Sequence, residues 1–134
     1  EALGGLEGTT VGFLGLSFKP NTNDLREAPA LSIAQTLMDQ GVTVRAYDPA
    51  ALEEGSKLLP RITPCQDAYE TARSADALVL MTEWNEFRNL DFDKLKSVMR
   101  RPILIDLRNV YESSRVTQFG FRHVSVGRPT KNPG

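Results

Sequence analysis

Short runs of apolar residues, separated by segments with helical periodicity, recur along this chain of 134 residues. Three of these runs, at positions 10–16, 77–82 and 102–106, hold a single charged residue between them, Asp106. Strands that are apolar on both faces are typical of parallel sheets covered by helices on both sides. The alternation therefore predicts an α/β fold in one domain: a Rossmann-like, three-layer, doubly wound and mainly parallel sheet.

The best-defined helix of the sequence follows Ala28. Pro29 suits the first helical turn, apolar residues then recur at helical spacing, and Gly41 is suited to end the helix in a left-handed conformation. We expect further helices at 50–58, 66–73, 84–90 and 91–99, and further strands at 42–47, near 61–63 and at 121–127.

Three parts are expected along the chain. Residues 1–9, which contain three glycines, read as a connector that follows a missing N-terminal part. Residues 10–127 read as the folded domain. Residues 128–134 contain two prolines and a glycine and are expected to form a flexible tail.

Composition excludes several classes of partner. Sixteen basic and seventeen acidic residues nearly cancel, so no overall field would attract nucleic acid or an anionic membrane. No apolar run approaches the roughly 20 residues that a membrane-spanning helix needs. Cys65 is the single cysteine and has no partner for an internal disulfide, which is consistent with a cytoplasmic protein. A bound phosphate would therefore have to be held by a few placed cations.

The connector after the first predicted strand is the first candidate for a ligand site. Residues 16–27 are long and polar, whereas such connectors usually need about 2–6 residues. Ligands of open α/β sheets bind beyond the carboxyl ends of the strands, where the strand order reverses. Lys19 and Arg26 lie in this connector, and Arg108 follows the strand at 102–106. We expect Lys19 and Arg108 to meet at one edge of the sheet, around a hollow that fits a diphosphate.

Two weaker signals resemble parts of a dinucleotide site. Gly12 and Gly15 have the spacing G-x-x-G, but the third glycine of a dinucleotide fingerprint is absent, so we interpret both as sites of close packing between strand and helix. Asp48 ends the second strand, where dinucleotide-binding folds place an acid that binds ribose. It is further from the glycines than expected, and it precedes Pro49, so we favour a turn residue.

Residues 15–29, GLSFKPNTNDLREAP, resemble the signature loop of the UDP-glucose/GDP-mannose dehydrogenase family. The resemblance continues in order through 47–49, 75–84, 106–109 and 126–129, and so covers nearly the whole chain. Two positions depart from the family pattern. Asn23 stands where many members have aspartate, and Leu107 stands where glycine is frequent.

The resemblance implies that the chain is the UDP-sugar-binding C-terminal domain of such an enzyme. It assigns Phe18, Lys19 and Arg108 to the UDP-sugar and Arg26 to NAD, which would be held mainly by the enzyme's N-terminal domain. The family oxidises the C6 alcohol of the sugar to a carboxylate, as from UDP-glucose to UDP-glucuronate, through a covalent intermediate on a cysteine. The implied partners are the substrate, the enzyme's own N-terminal NAD-binding and central helical parts, and further copies of the enzyme.

The chain offers no convincing catalytic group and no metal site. Cys65 lacks the surroundings of the family's catalytic cysteine, and reactive thiols need an electropositive, supported site. His123 lies in an alternating strand with no partner visible in the sequence to orient it, so we interpret it as structural. Trp84 and Phe87 have the spacing of residues that pack a short helix on the sheet. We therefore expect the chain alone to lack dehydrogenase activity.

Three alternatives remain open at this stage. The chain could be a dinucleotide-binding Rossmann domain of another oxidoreductase, although the glycine fingerprint is incomplete. It could be the corresponding domain of a UDP-N-acetylmannosamine or GDP-mannose dehydrogenase, because the sequence does not identify the sugar. It could also be a flavodoxin-like signalling module, although these need an acidic cluster after the first strand.

Overall fold

The computed structural model describes residues 8–17, 24–25, 28–125 and 128–133, without the side chains of 128–129. The strands are β1 (Thr10–Leu14), β2 (Thr43–Tyr47), β3 (Thr63–Pro64), β4 (Ala77–Leu80), β5 (Ile103–Asp106), β6 (Arg122–Ser125) and β7 (Arg128–Lys131). The helices are α1 (Pro29–Asp39), α2 (Leu52–Leu58), α3 (Ala68–Ala72), a 3-10 helix (Asn85–Phe87), α4 (Phe92–Val98) and α5 (Ser113–Thr117).

The described strands form one sheet in the order β3-β2-β1-β4-β5-β6-β7. The first six are parallel to their neighbours, and β7 is antiparallel to β6. The chain runs outward from β1 to β3 and then returns to β4 on the other side of β1, so the strand order reverses between β1 and β4. This confirms the predicted α/β class and places the reversal beside the first strand.

Helix α1 forms for the reasons that its sequence suggests. Proline occupies the first turn, and Ala30, Ala34 and Met38 are buried along one face. The helix ends where Gly41 takes a φ of +87° and its N–H donates to the carbonyl of Met38. An L-residue with a side chain rarely adopts that backbone conformation, so glycine fits the position.

The two faces of the sheet bury separate apolar clusters. Alternate residues of a strand point to opposite faces, so Phe13 of β1 belongs to one cluster and Leu14 to the other. The first cluster packs beneath α1 and the segment of α2, and the second beneath α3, the 3-10 helix, α4 and α5. The second is rich in aromatic rings, with Phe92 in contact with Tyr111, Phe119 and Phe121. The result is the predicted arrangement of helix, sheet and helix layers.

Two elements differ from the sequence-based expectation. The chain at 128–131 was expected to belong to a flexible tail, and this was wrong, because these residues pair with β6 as strand β7. The short helix α5 was not predicted at all, since it buries only Val116 and its N-cap residue, Glu112, forms no side-chain capping hydrogen bond. Trp84 is the N-cap of a single 3-10 turn that ends at Phe87, and Phe87 is fully buried, as expected for a residue that packs on the sheet.

None of the helices that the structure describes has the length and apolar character that a membrane span requires.

Candidate functional site

The candidate site lies at the carboxyl edge of β1, β4 and β5. These strands are adjacent, so the segments that follow them begin side by side. Of the residues predicted for the site, Arg108 is described. Phe18, Lys19 and Arg26 lie outside the described residues, so the predicted meeting of Lys19 with Arg108 stays a prediction. The structure does show that the connector after β1 begins, at Gly15–Ser17, on the same edge as Arg108.

The side chain of Asp48 holds the start of that connector through hydrogen bonds. One carboxylate oxygen accepts hydrogen bonds from the backbone N–H groups of Leu16, at 2.7 Å, and Ser17, at 3.3 Å. The other oxygen accepts from Ala50 and Ala51, both at 2.8 Å. Asp48 is buried, and both of its oxygens are engaged. The interpretation as a turn residue is confirmed, and the link to the connector after β1 was missed, because sequence spacing does not show it.

Thr82, which follows β4, holds the same connector from the other side. It is fully buried, and its hydroxyl donates to the carbonyl of Ser17 at 2.5 Å. Gly15 makes this approach possible, since a Cβ atom there would lie 2.5 Å from Cβ of Thr82, and the glycine has a φ of +94°. Gly15 therefore serves a turn against a neighbouring strand, which differs from our interpretation. Gly12 does serve strand–helix packing, because a Cβ there would lie 2.7 Å from the carbonyl oxygen of Thr71 in α3.

Arg108 is presented by a turn that Asp106 organises. One oxygen of the Asp106 carboxylate accepts from the N–H of Arg108 at 3.1 Å, and the other accepts from the N–H of Tyr111 at 2.9 Å. The turn closes through Asn109, whose φ of +54° is tolerated by asparagine better than by most residues. Leu107, the departure from the family pattern, does not have a positive φ and packs against the first apolar cluster. Leucine is therefore accommodated here without backbone strain.

The guanidinium of Arg108 forms an ion pair with Glu83. Nη2 of Arg108 lies 2.8 Å from Oε1 of Glu83, and the two side chains are 25% and 36% exposed. Glu83 follows β4 directly after Thr82, so the pair bridges the segments after two adjacent strands. Sequence reasoning did not single out Glu83, although its place just beyond the carboxyl end of a strand is the kind of signal that identified Arg108.

His123 in β6 lies beside the Asp106 carboxylate within the sheet. Its ring is fully buried, with Nε2 3.5 Å from the Asp106 carboxylate and Nδ1 2.7 Å from the hydroxyl of Ser113 in α5. The structural role expected for His123 agrees with this burial. No partner that orients the ring is evident from the sequence, whereas the structure supplies a hydrogen bond to Ser113 of α5 and places the Asp106 carboxylate of β5 opposite Nε2.

Tyr47, the last residue of β2, lies at the same carboxyl edge of the sheet. Its hydroxyl donates to a carboxylate oxygen of Glu86 at 2.9 Å, and its ring packs edge-on against Phe87. Burial and, second, the hydrogen bond to the Glu86 carboxylate raise the pKa of Tyr47 to about 12. The hydroxyl ties the end of β2 to the segment after β4, and it keeps its proton to a higher pH than an ordinary tyrosine does.

Cys65 does not have the character of a nucleophile. Its side chain is buried at the β3 side of the sheet, and its Sγ lies 3.5 Å from the carbonyl oxygen of Thr63. Burial raises the pKa of the Cys65 thiol, which disfavours the reactive thiolate. Among the residues that the structure describes, no cluster of His, Cys, Asp and Glu has the arrangement of a metal site.

Chemically, the described part of this edge is suited to binding an anion. The guanidinium of Arg108 is a permanent positive charge whose planar fork of N–H donors matches the geometry of phosphate and carboxylate oxygens. The rigid turn around Asp106 and the anchored start of the connector after β1 fix two sides of the space that a ligand would enter.

Comparisons with known proteins agree with this geometry. Residues 12–113 match the family model described as the UDP binding domain of the UDP-glucose/GDP-mannose dehydrogenase family. The chain is 51% identical over 126 residues to a UDP-glucose 6-dehydrogenase of Rhizobium meliloti, covering 94% of this chain and 29% of that protein. It is 43% identical over 129 residues to the UDP-glucose 6-dehydrogenase of Pseudomonas aeruginosa, covering 92% of this chain and 28% of that protein.

A solved structure gives the same result at the level of the fold. The UDP-glucose dehydrogenase of Pyrobaculum islandicum superposes with a TM-score of 0.74 at 31% identity, covering 93% of this chain and 26% of that one. The chain thus spans under a third of the length of the curated relatives described above. The chain belongs to the UDP-glucose/GDP-mannose dehydrogenase family and matches its UDP binding domain.

Proposed function

We propose that the chain binds the UDP moiety of a nucleotide sugar at the carboxyl edge of β1, β4 and β5. The proposed whole protein is an NAD-dependent UDP-glucose 6-dehydrogenase that works in the cytoplasm as a homo-oligomer. The observation that supports the proposal is the position of Arg108 on the Asp106 turn, at the same carboxyl edge of the sheet as the anchored start of the connector after β1. The relatives that cover most of the chain at 51% and 43% identity favour glucose as the sugar.

Each described residue of the edge has a defined part in this proposal. Arg108 supplies charge-assisted hydrogen bonds to the diphosphate, each of which contributes about 1.5–3 kcal/mol. Asp48 and Thr82 fix the start of the connector that carries Phe18 and Lys19, which we assign to the UDP-sugar. The described part of the surface is therefore held in place before a ligand binds, and this lowers the entropic cost of binding.

NAD is assigned mainly to the part of the protein outside this chain, with Arg26 as the contribution of this chain. When bound, NAD accepts a hydride from the C6 carbon of the sugar. The nucleophilic thiol is also assigned outside the chain, because Cys65 is buried and its pKa is raised. We therefore expect the 134-residue chain to bind UDP-glucose without forming NADH when NAD is added.

Calorimetric titration of the chain with UDP, UDP-glucose and NAD tests the proposal. Both uridine ligands should bind, and NAD should bind weakly. Arg108→Gln should weaken binding of UDP-glucose by about tenfold or more, since one charge-assisted contact is lost, and Lys19→Ala should have a similar effect. Arg73→Gln is the control, because Arg73 is exposed and precedes β4, at the opposite edge of the sheet. Tight binding of NAD without any response to UDP would contradict the proposal.

A further inference from the structure

The carboxylate of Glu83 lies where an anion-binding site would be expected to exclude negative charge. Its oxygen is 2.8 Å from the guanidinium of Arg108, and the side chain is 36% exposed. A ligand phosphate that contacts Arg108 would therefore approach within about one guanidinium width of this carboxylate. Like charges at such separations repel measurably in a partly exposed setting.

The ion pair has two opposite effects on a bound diphosphate. It orients the guanidinium before the ligand arrives, which lowers the entropic cost of binding. It also places a negative charge beside the ligand, and each further negative charge on the ligand increases the repulsion. The preference of the site among ligands of the same nucleoside should therefore depend on the charge of their phosphates.

Nucleotide sugars and free nucleoside diphosphates differ in this property. In a nucleotide sugar each phosphate has one ester bond and the two share an anhydride bond, so the diphosphate carries two negative charges. The terminal phosphate of a free nucleoside diphosphate has a second ionisation with a pKa of about 6, so most molecules carry a third charge at neutral pH. An adjacent carboxylate should penalise the free diphosphate more than the nucleotide sugar.

We propose that Glu83 is a specificity-determining residue, which through its place beside Arg108 favours a nucleotide sugar over the free nucleoside diphosphate. The inference rests on the proposed function, because it assumes that the diphosphate binds at Arg108. It assigns Glu83 no catalytic part. Its consequence is that the site discriminates by charge at the phosphates as well as by contacts to the sugar.

The test compares two affinities in the same protein preparation. Calorimetry gives the dissociation constants of UDP and UDP-glucose for the chain, for Glu83→Gln and for Glu86→Gln. Glutamine keeps the shape of the side chain and removes its charge. Glu86→Gln makes the same charge change three positions along the chain, at a carboxylate that accepts from Tyr47. The ratio of the two dissociation constants does not depend on the folded fraction of a variant.

In Glu83→Gln the affinity for UDP should rise relative to the affinity for UDP-glucose by about threefold to tenfold. In Glu86→Gln the same change should be smaller. Glu83→Ala, measured in the same way, should shift the ratio in the same direction and replaces the glutamine variant if that one does not fold. An unchanged ratio in both Glu83 variants, or a shift towards UDP-glucose, overturns the inference while the proposed function stands. If the unsubstituted chain binds neither ligand, the proposed function itself is overturned.

Discussion

Asp48 joins two connectors through one buried carboxylate. Four backbone N–H groups donate to it, two at the start of the connector after β1 and two ahead of α2. Asparagine at this position keeps one acceptor oxygen but turns an amide N–H₂ towards one pair of donors. Asp48→Asn should therefore lower the free energy of unfolding by about 2–4 kcal/mol, as hydrogen bonds to a charged acceptor are lost and buried donors are left unpaired.

Denaturant unfolding measures this change, with Asp93→Asn as the control. Asp93 is exposed in the first turn of α4, and its substitution should change the free energy of unfolding by about 0.5 kcal/mol or less. Equal effects of the two substitutions would show that Asp48 does not hold the two connectors.

Residue types and their positions after strands indicated the site edge, but they did not identify contacts between distant positions. Arg108 was predicted from its place after a strand, and Asp48 was read correctly as a turn residue. The bonds from Asp48 to Leu16 and Ser17, and from Arg108 to Glu83, depend on which strands lie side by side. No local pattern contains that information, because the partners are separated along the chain.

At the scale of elements, the bond between Tyr47 and Glu86 connects the end of β2 with the 3-10 helix. The pKa of Tyr47 is raised from its ordinary value of 10 to about 12, so the folded state favours the protonated hydroxyl. The stabilisation is complete below pH 10, where the tyrosine of the unfolded chain is also protonated. It decreases as pH rises from 10 to 12, because the unfolded chain releases its proton first.

Tyr47→Phe removes this pH dependence. The difference in unfolding free energy between the original protein and the variant should shift in favour of the variant as pH rises from 10 to 12. The difference between their absorbance titrations at the tyrosinate band should have its midpoint near pH 12. A midpoint near 10 would show that Glu86 and burial do not hold the proton on Tyr47.

Elements with a strong apolar pattern were predicted well, and short elements without one were not. The runs at β1, β4 and β5 have too few polar residues to face water on either side, and each forms a buried strand. Helix α5 has five residues and a single buried side chain, so it carries no usable periodicity. Strand β7 contains a proline, which is usually confined to edge strands, and its pairing with β6 is irregular.

At the scale of the whole molecule, the sheet separates the two apolar clusters, and each cluster packs against one of its faces. Adjacent residues of β1 and β4 face opposite clusters, so a shift of either strand would disturb both. The same strands end at the proposed binding edge, and their register sets where Thr82 meets Ser17. Packing on both faces therefore fixes where these strands end. The site residues come from several separate segments because each segment follows a different strand.

Because both clusters pack on the same strands, we expect the described domain to unfold in one cooperative transition. Met38 lies in the cluster beneath α1, whereas Trp84, the single tryptophan of the sequence, packs against the opposite cluster. Met38→Ala should cost about 2–3 kcal/mol through the cavity it leaves. The loss should lower the denaturation midpoint measured by Trp84 fluorescence as much as the midpoint measured by circular dichroism, although Trp84 is on the other face. Two separate midpoints would mean that the clusters unfold independently and that the sheet does not couple them.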